Sequence, residues 1–235
     1  MTRHSSPFSS SLRLLVRDGA APLLAISTFS IPANLAAEYA IYTQYGPDDF
    51  GAATRITGLV GSITIPLYAA VIVQSASSST TGQTLSYSQL VSSALLRWAR
   101  VFKARFIAAL LVAMGTLAFV VPGVLLAIRY AFVEVVAIEE SANGGEARRR
   151  SAALSSGRWR ELLRLLVSVV VAAVLLAIVA IFPLEFWPQL DNFASAALGD
   201  VAFDVLLSGL YGGAWFIYSR RNEAQVSPAL PEPIA

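Results

Sequence analysis

An uncharged run of twenty residues, Leu165 to Leu184, constrains this chain more than any other feature of its sequence. The run reads LLVSVVVAAVLLAIVAIFPL, so a helix built from it is apolar on every side. Such a helix is typical of a membrane span or a wholly buried core, and about 20 apolar residues suffice to cross a bilayer. Only 14% of the residues are charged, against about 25% in soluble domains. We therefore predict an integral membrane protein.

Four further stretches lack Asp, Glu, Lys and Arg: Gly19–Ala37, Ile56–Leu96, Phe106–Ile128 and Val205–Ser219. Charges, prolines and aromatic residues then bound six predicted helices: Ala20–Tyr42, Thr57–Ala76, Phe106–Val121, Gly123–Ile138, Leu165–Pro183 and Ala197–Ser219. We expect the third and fourth helices to form a hairpin turned at Pro122 and Gly123, because proline disrupts a helix interior and glycine permits a tight reversal. A single helix through Pro122 is the alternative, and it would carry Arg129 past the far side of the membrane.

The predicted fold class is an all-α integral membrane protein, a polytopic six-helix transmembrane bundle with amphipathic interfacial helices on the cytoplasmic side. We expect residues 1–19 to form a cytoplasmic amino-terminal segment, residues 20–221 a single transmembrane domain, and residues 222–235 a Pro-rich disordered cytoplasmic tail.

Positive charges lie on one side of the predicted spans, and cytoplasmic loops of membrane proteins carry an excess of Lys and Arg. The opposite loops hold only Arg55, beside several acids. This asymmetry predicts that both termini are cytoplasmic and that the number of spans is even. The residues on the cytoplasmic side are Arg3, Arg13, Arg17, Arg97, Arg100, Lys103, Arg105, Arg148, Arg149, Arg150, Arg158, Arg160, Arg164, Arg220 and Arg221.

The composition excludes several classes of chemistry. The chain has no cysteine and one histidine, His4, which removes thiolate metal sites, disulfides, histidine-based metal sites and Ser-His-Asp catalysis. No phosphate-binding loop of the form G-x-x-x-x-G-K-[ST] is present, and no strand is followed by G-x-G-x-x-G. We therefore expect no metal, no cofactor, no nucleic-acid partner and no enzymatic activity.

Basic, partly amphipathic segments precede the predicted membrane hairpins. In the clearest, Ser86 to Phe102, apolar residues recur at helical spacing, and Ser86 and Gln89 form a capping-box pattern. The segment predicts a helix lying in the membrane interface, and a helix packed beneath the bundle is the alternative. Weaker versions occur at Leu12–Arg17 and Glu146–Arg164, where a short helix is expected over Glu146–Leu154 with Gly157 as its carboxyl cap.

Ionisable residues inside spans are costly and are candidates for function. Five ionisable residues lie in the predicted spans, and we call them the intramembrane polar cluster: Glu38, Arg129, Glu134, Asp200 and Asp204. Counting residues inward from the outer turns predicts a contact between Arg129 and Asp204, with Glu38 or Asp200 nearby. The contact is either a buried ion pair that joins helices four and six, or a substrate or proton site of a transporter. Glu134 faces another side, toward an arginine or water.

Two further groups of residues each have two possible roles. The basic loop residues either bind phospholipid headgroups or serve only to set topology, and they are Arg148, Arg149, Arg150, Arg158, Arg160 and Arg164. Trp159 among them is typical of an interfacial anchor. Gly209 and Gly213 form a G-x-x-x-G pair, which favours helix packing inside the chain over dimerisation.

A series of motif residues extends from the hairpin into the basic loop: Pro122, Gly123, Arg129, Glu139 or Glu140, Glu146, Ala147, Arg149, Arg150, Ser151, Leu154 and Gly157. With them the chain resembles the bacterial YciC-like membrane proteins and the membrane domain associated with glycerophosphodiester phosphodiesterases. A closing stretch of that family is echoed by Tyr218, Arg220, Arg221 and Glu223, whereas Arg148 stands where the family usually has an apolar residue.

The resemblance implies a six-helix bundle in the bacterial cytoplasmic membrane, in a family whose members mostly have no assigned activity. Phosphodiesterase activity is not carried over, because in the fused enzymes it belongs to a separate soluble barrel. We expect a structural or accessory membrane protein that contacts lipid, a membrane protein partner or a second copy of itself. The alternative is a small transporter or lipid-handling protein that uses the polar cluster.

Overall fold

A computed structural model describes residues 20–46, 49–83, 85–186 and 193–226. The regular structure of these residues is helical throughout. A π-helical segment, Ile26–Ser30, separates the first two α-helices. The α-helices are α1 (Ala20–Ala25), α2 (Ile31–Gln44), α3 (Phe50–Thr81), α4 (Tyr87–Ala118), α5 (Val120–Arg129), α6 (Val133–Glu139), α7 (Gly144–Ser155), α8 (Trp159–Phe186) and α9 (Phe193–Val226).

Four helical stretches of the described residues are long and apolar enough to cross a membrane: Gly51–Thr81, Tyr87–Ala118, Val120–Glu139 and Phe193–Arg220. Helix α8 adds a row of exposed apolar side chains that includes Val167, Val171 and Leu175. Soluble monomers rarely expose apolar surface of this extent. The molecule is therefore a helical bundle with the surface of an integral membrane protein.

The helix predicted at Ala20–Tyr42 is present, but a π-helical segment interrupts it. Pro32 occupies the first turn of α2 and has no backbone N–H to donate to the residue four positions before it. In the widened turn the Ile31 amide donates to the Ile26 carbonyl, five residues back. Because the helix resumes at once, Ser30 and Asn34 lie one turn apart and both side chains are buried.

Helix α3 is the centre of the bundle. Its residues from Thr64 to Ala76 are buried on every face, and α1, α2, α4, α6 and α9 all pack against it. Pro66 lies inside the helix, and in the turn that it interrupts the Ile63 carbonyl accepts a hydrogen bond from Trp98 Nε1 at 3.0 Å. This bond ties α4 to α3 at the point where proline weakens the helical ladder.

The predicted interfacial helix Ser86–Phe102 does not exist as a separate element. It is continuous with the third predicted span in the 32-residue helix α4. The capping box of Ser86 and Gln89 is confirmed at its start. Part of the apolar face of the segment packs on the bundle through Leu90 and Ala94, whereas Leu95 on the same face is 55% exposed.

The hairpin between the third and fourth predicted helices is present, but Pro122 and Gly123 do not form its turn. The chain reverses at Phe119, which is extended, and both residues fall in the first turn of α5. Proline is tolerated there because the first amides of a helix have no intrahelical acceptor. Gly123 is needed for close packing: a Cβ at this position would lie 2.1 Å from Thr116 Oγ1 and 2.8 Å from Thr116 Cα.

Replacing Gly123 by alanine is expected to destabilise the bundle by about 1–3 kcal/mol, because the added methyl group forces α4 and α5 apart. Thermal unfolding in detergent measures the effect. Gly199→Ala is the matched control, since nothing lies within 4 Å of a Cβ at that position. Equal stability of the two variants would contradict the close packing at Gly123.

The fourth predicted helix, Gly123–Ile138, is divided between α5 and α6 by a turn at residues 130–132. Ser151 of α7 satisfies backbone groups on both sides of this break. Its hydroxyl donates to the Arg129 carbonyl at 3.0 Å and accepts from the Phe132 amide at 3.1 Å. Ser155 donates to the same carbonyl. The sequence pattern of α5 and α6 alone does not show the break, because the compensating hydroxyls come from α7.

The remaining helices largely agree with the prediction made from the sequence. The short helix expected at Glu146–Leu154 is α7, although Gly144 and Gly145 begin the helix and do not form a turn before it. Gly157 has the positive φ, 82°, expected of a carboxyl cap. Helix α9 continues to Val226, past the predicted start of the disordered tail at residue 222. The rest of that tail and the amino-terminal segment 1–19 lie outside the described residues.

Candidate functional site

Asp204 is the acceptor at the centre of a group of buried polar side chains. It lies on α9 and is 6% exposed. Ser30 Oγ donates a hydrogen bond to its Oδ2, Asn34 Nδ2 lies 3.3 Å from the same oxygen, and Tyr68 donates its hydroxyl to Oδ1 at 3.0 Å. These donors come from the π-helical segment, α2 and α3. One carboxylate therefore connects four elements of the bundle.

One turn before Asp204 on α9, Asp200 lies beside Glu38 of α2. One oxygen of Asp200, Oδ2, is buried and has no hydrogen-bond partner among the described residues. Since Glu38 contacts Asp200 and Ser30 contacts Asp204, α9 runs antiparallel to α1 and α2.

A second group lies on the other side of Tyr68. Arg105 Nη1 of α4 is 2.7 Å from Glu134 Oε1 of α6, and Tyr211 of α9 donates its hydroxyl to the same oxygen at 3.1 Å. Arg105 also donates to the Tyr211 hydroxyl. The rings of Tyr211 and Tyr68 meet edge to face with centroids 6.3 Å apart. The two polar groups are therefore joined through an aromatic contact.

We call this connected set the buried polar chain. It contains four acidic groups and one arginine, and only Glu134 forms an ion pair with that arginine. Its members, in spatial order, are Glu38, Asp200, Asp204, Ser30, Asn34, Tyr68, Tyr211, Glu134 and Arg105.

The structure brings together Glu38, Asp200 and Asp204, as the depth count predicted, but not Arg129. The predicted contact between Arg129 and Asp204 is wrong. Arg129 is the last residue of α5, and its exposed side chain lines a cavity with residues of α7. The depth count set the level of Arg129 but not the face of the helix, and its side chain lies on the side of α5 that meets α7.

Sequence reasoning missed the other members of the polar chain. Arg105 was assigned to a cytoplasmic loop by position, although it lies within α4 and pairs with Glu134. This pairing answers the question left open for Glu134. Tyr68 and Tyr211 gave no signal, because a tyrosine in a span is ordinary. Ser30 and Asn34 are small polar residues one turn apart in an apolar run, and that spacing could have suggested a polar helix face.

The second candidate feature is the cavity that Arg129 lines, with a volume of about 440 Å³. The basic cavity, as we call it, lies where the break after α5 meets the first turns of α7. Nη1 of Arg148 is buried and has no hydrogen-bond partner in the residues that the structure describes. The lining residues are Arg129, Tyr130, Gly145, Arg148, Arg149 and Ala152.

The other basic loop residues differ from the cavity arginines. Arg150 pairs with Glu140 at 3.1 Å, and Tyr218 donates to the same carboxylate. Arg158 lies 3.6 Å from Glu161, and Arg160 stacks over the half-exposed Trp159 ring. Arg164 is exposed on α8. Of the six arginines predicted as one group, Arg148 and Arg149 line the cavity and the other four do not.

The remaining predicted positions are also located. Gly209 and Gly213 are both buried within the chain on α9. Among the described residues, no group of three His, Cys, Asp or Glu side chains could hold a metal ion. Comparison of the chain with family models, curated proteins and solved structures gives no match.

Proposed function

We propose that this chain is a non-enzymatic integral protein of the bacterial inner membrane, a structural or accessory component that contacts lipid or a membrane protein partner. Support comes from the way the buried polar chain is closed inside the protein. Asp204 accepts from three donors, and Glu134 is held by Arg105 and Tyr211. Polar groups used in this way join helices in a membrane, where apolar side chains gain little by leaving lipid.

The proposal includes six membrane crossings with both termini in the cytoplasm. Antiparallel contacts of α9 with α1 and α2, together with the hairpin of α4 and α5, support an up-and-down order. In this order α1 with α2, α3, α4, α5 with α6, α8 and α9 each cross once. The resemblance to YciC-like proteins, which implies the same architecture, stays a prediction.

Cysteine labelling tests the topology in a chain without native cysteine. Single cysteines at Asp49, Asn143, Asn192 and Gln225 are expected to react from outside, inside, outside and inside in that order. Asp49 and Asn143 cap helices through Ala52 and Glu146, so Tyr45 and Ser141 serve as second positions in the same loops. Any other order contradicts the six-span arrangement.

The alternative is a small transporter or lipid-handling protein that works through the polar chain. One observation favours it: Asp200 Oδ2 and Glu134 Oε2 are buried carboxylate oxygens that find no hydrogen-bond partner within the described part of the chain. Unpaired groups of this kind are expensive and mark candidate ion or proton pathways. A purely structural network has no need of them.

Purification in mild detergent, followed by mass spectrometry of bound components, separates the two functions. A reproducible protein partner is the expected result of the accessory function. A stoichiometric lipid or metabolite that depends on Asp200 or Glu134, without a protein partner, would overturn it in favour of the transporter. Asp200→Asn and Glu134→Gln are the variants to compare, and Glu146→Gln, on the exposed start of α7, is their control.

A further inference from the structure

The basic cavity concentrates positive charge without a counter-ion. Arg129, Arg148 and Arg149 line it, and none of the described acidic residues does. In the described part of the chain, none of the three forms an ion pair, whereas the neighbouring Arg150 does. Arg148 lines the cavity, and its Nη1 is buried without a hydrogen-bond acceptor among the described residues. The geometry points to an anion that the protein itself does not supply.

We propose that the basic cavity binds the phosphate group of an anionic phospholipid of the cytoplasmic leaflet. The arginine side chains supply several N–H donors each, in the fork geometry that matches phosphate oxygens. The first turn of α7 adds to them, because Gly145 lines the cavity and free amides at a helix start attract anions. This site adds detail to the proposed lipid-contacting function, and it depends on the membrane orientation proposed there.

The surface above the cavity fits acyl chains. Val121, Leu125 and Arg129 are spaced by four residues, so they lie along one face of α5. Val121 is 68% exposed and Leu125 is 61% exposed. The two apolar side chains cover about 12 Å of helix leading away from Arg129. A lipid whose phosphate lies among the arginines places its acyl chains along this apolar face, whereas free phosphate makes no contact with the face.

Arg129 lies deep in the predicted span. Helix α5 has ten residues, so Arg129 lies about 15 Å from the hairpin turn at Phe119. Its side chain therefore reaches a lipid phosphate only by extending toward the cytoplasmic side, as long basic side chains in membranes do. Arg148 and Arg149 of α7 line the same cavity.

The test measures lipid binding by the full chain purified in a nonionic detergent. Phosphatidylglycerol, phosphatidylcholine or inorganic phosphate is added at increasing concentration, and the shift of the unfolding temperature and the bound lipid mass are recorded. We expect phosphatidylglycerol to raise the unfolding temperature more than phosphatidylcholine, and inorganic phosphate at the same concentration to have no effect. Arg148→Gln is expected to weaken the phosphatidylglycerol response about tenfold, because it removes charge-assisted hydrogen bonds.

Arg160→Gln is the matched control. It removes the same charge from the same basic region, but Arg160 stacks on Trp159 and does not line the cavity. Its response to phosphatidylglycerol should stay within about twofold of wild type, since only general surface attraction is lost. Without anionic lipid, Arg148→Gln should be no less stable than wild type, because its Nη1 has no partner to lose. If that variant does not fold, Arg149→Gln, with an exposed side chain, replaces it.

Three results would overturn the proposal. Equal responses of Arg148→Gln and Arg160→Gln would mean that surface charge alone attracts lipid. Stabilisation by inorganic phosphate equal to that by phosphatidylglycerol would mean a soluble phosphate ligand. No preference for phosphatidylglycerol over phosphatidylcholine would mean that the cavity does not select an anionic lipid. Failure of the proposed function would be visible separately. In that case the order of cysteine labelling or the copurifying components would contradict it, while the protein still responded to phosphatidylglycerol.

Discussion

Replacing Asp204 by alanine is expected to lower the free energy of unfolding by about 2–4 kcal/mol, the largest effect of any single change in the polar chain. The variant leaves Ser30, Asn34 and Tyr68 without their shared acceptor. Each of these donors is buried, so water cannot replace the lost bond. Denaturant-induced unfolding in mixed micelles, followed by tryptophan fluorescence, measures the change.

Asp200→Ala is the control for this variant. Asp200 is also an acid on α9, one turn away, but one of its oxygens has no partner, so its removal should cost clearly less. Equal losses in the two variants would show that the number of donors at Asp204 does not determine its contribution. Asp204→Asn tests the geometry further, because the amide places a donor opposite the donating Asn34 Nδ2.

Replacing Arg105 by methionine is expected to cost roughly 3 kcal/mol, because Glu134 then stays buried without a cation. Glu134→Gln in the same background should recover much of the loss, since the neutral amide needs no counter-charge. A double-mutant cycle with Arg105→Met, Glu134→Gln and the double variant, measured by the same unfolding assay, gives the coupling energy.

Arg100→Met provides the comparison on the same helix, as its side chain is exposed. It should change stability by less than about 0.5 kcal/mol. A coupling energy near zero between Arg105 and Glu134 would contradict the ion pair and would return Arg105 to the role of a topology determinant. A clear coupling energy instead means that a residue counted among the loop charges helps to hold α4 and α6 together.

Some local features could be read from the sequence because they depend on neighbouring residues only. The capping box of Ser86 and Gln89 needs three residues of separation, and the cap at Gly157 needs a positive φ that glycine adopts without strain. The apolar run at Leu165–Leu184 likewise predicts the greater part of α8. The spacing of Glu38, Asp200 and Asp204 from the helix ends was enough to bring them to one level.

Other features depend on groups that lie far apart in the chain. The break between α5 and α6 is tolerated because Ser151, on another helix, replaces the missing backbone partners. Depth along a helix does not fix which neighbour a side chain faces, so it could not predict that Arg129 meets α7 and not α9. The apolar face of Ser86–Phe102 looked suited to lipid, and only the packing of α4 on the bundle decided that protein covers Leu90 and Ala94.

The sequence by itself determined that the chain forms apolar helices and where their charges fall, because length, hydropathy and charge are summed residue by residue. The tertiary structure alone decided which charges meet. Arg105 finds Glu134, Asp204 finds three uncharged donors, and Arg129, Arg148 and Arg149 share a cavity. The physical reason is that a buried polar group takes any partner that the packing brings within about 3 Å, and that packing depends on the whole bundle.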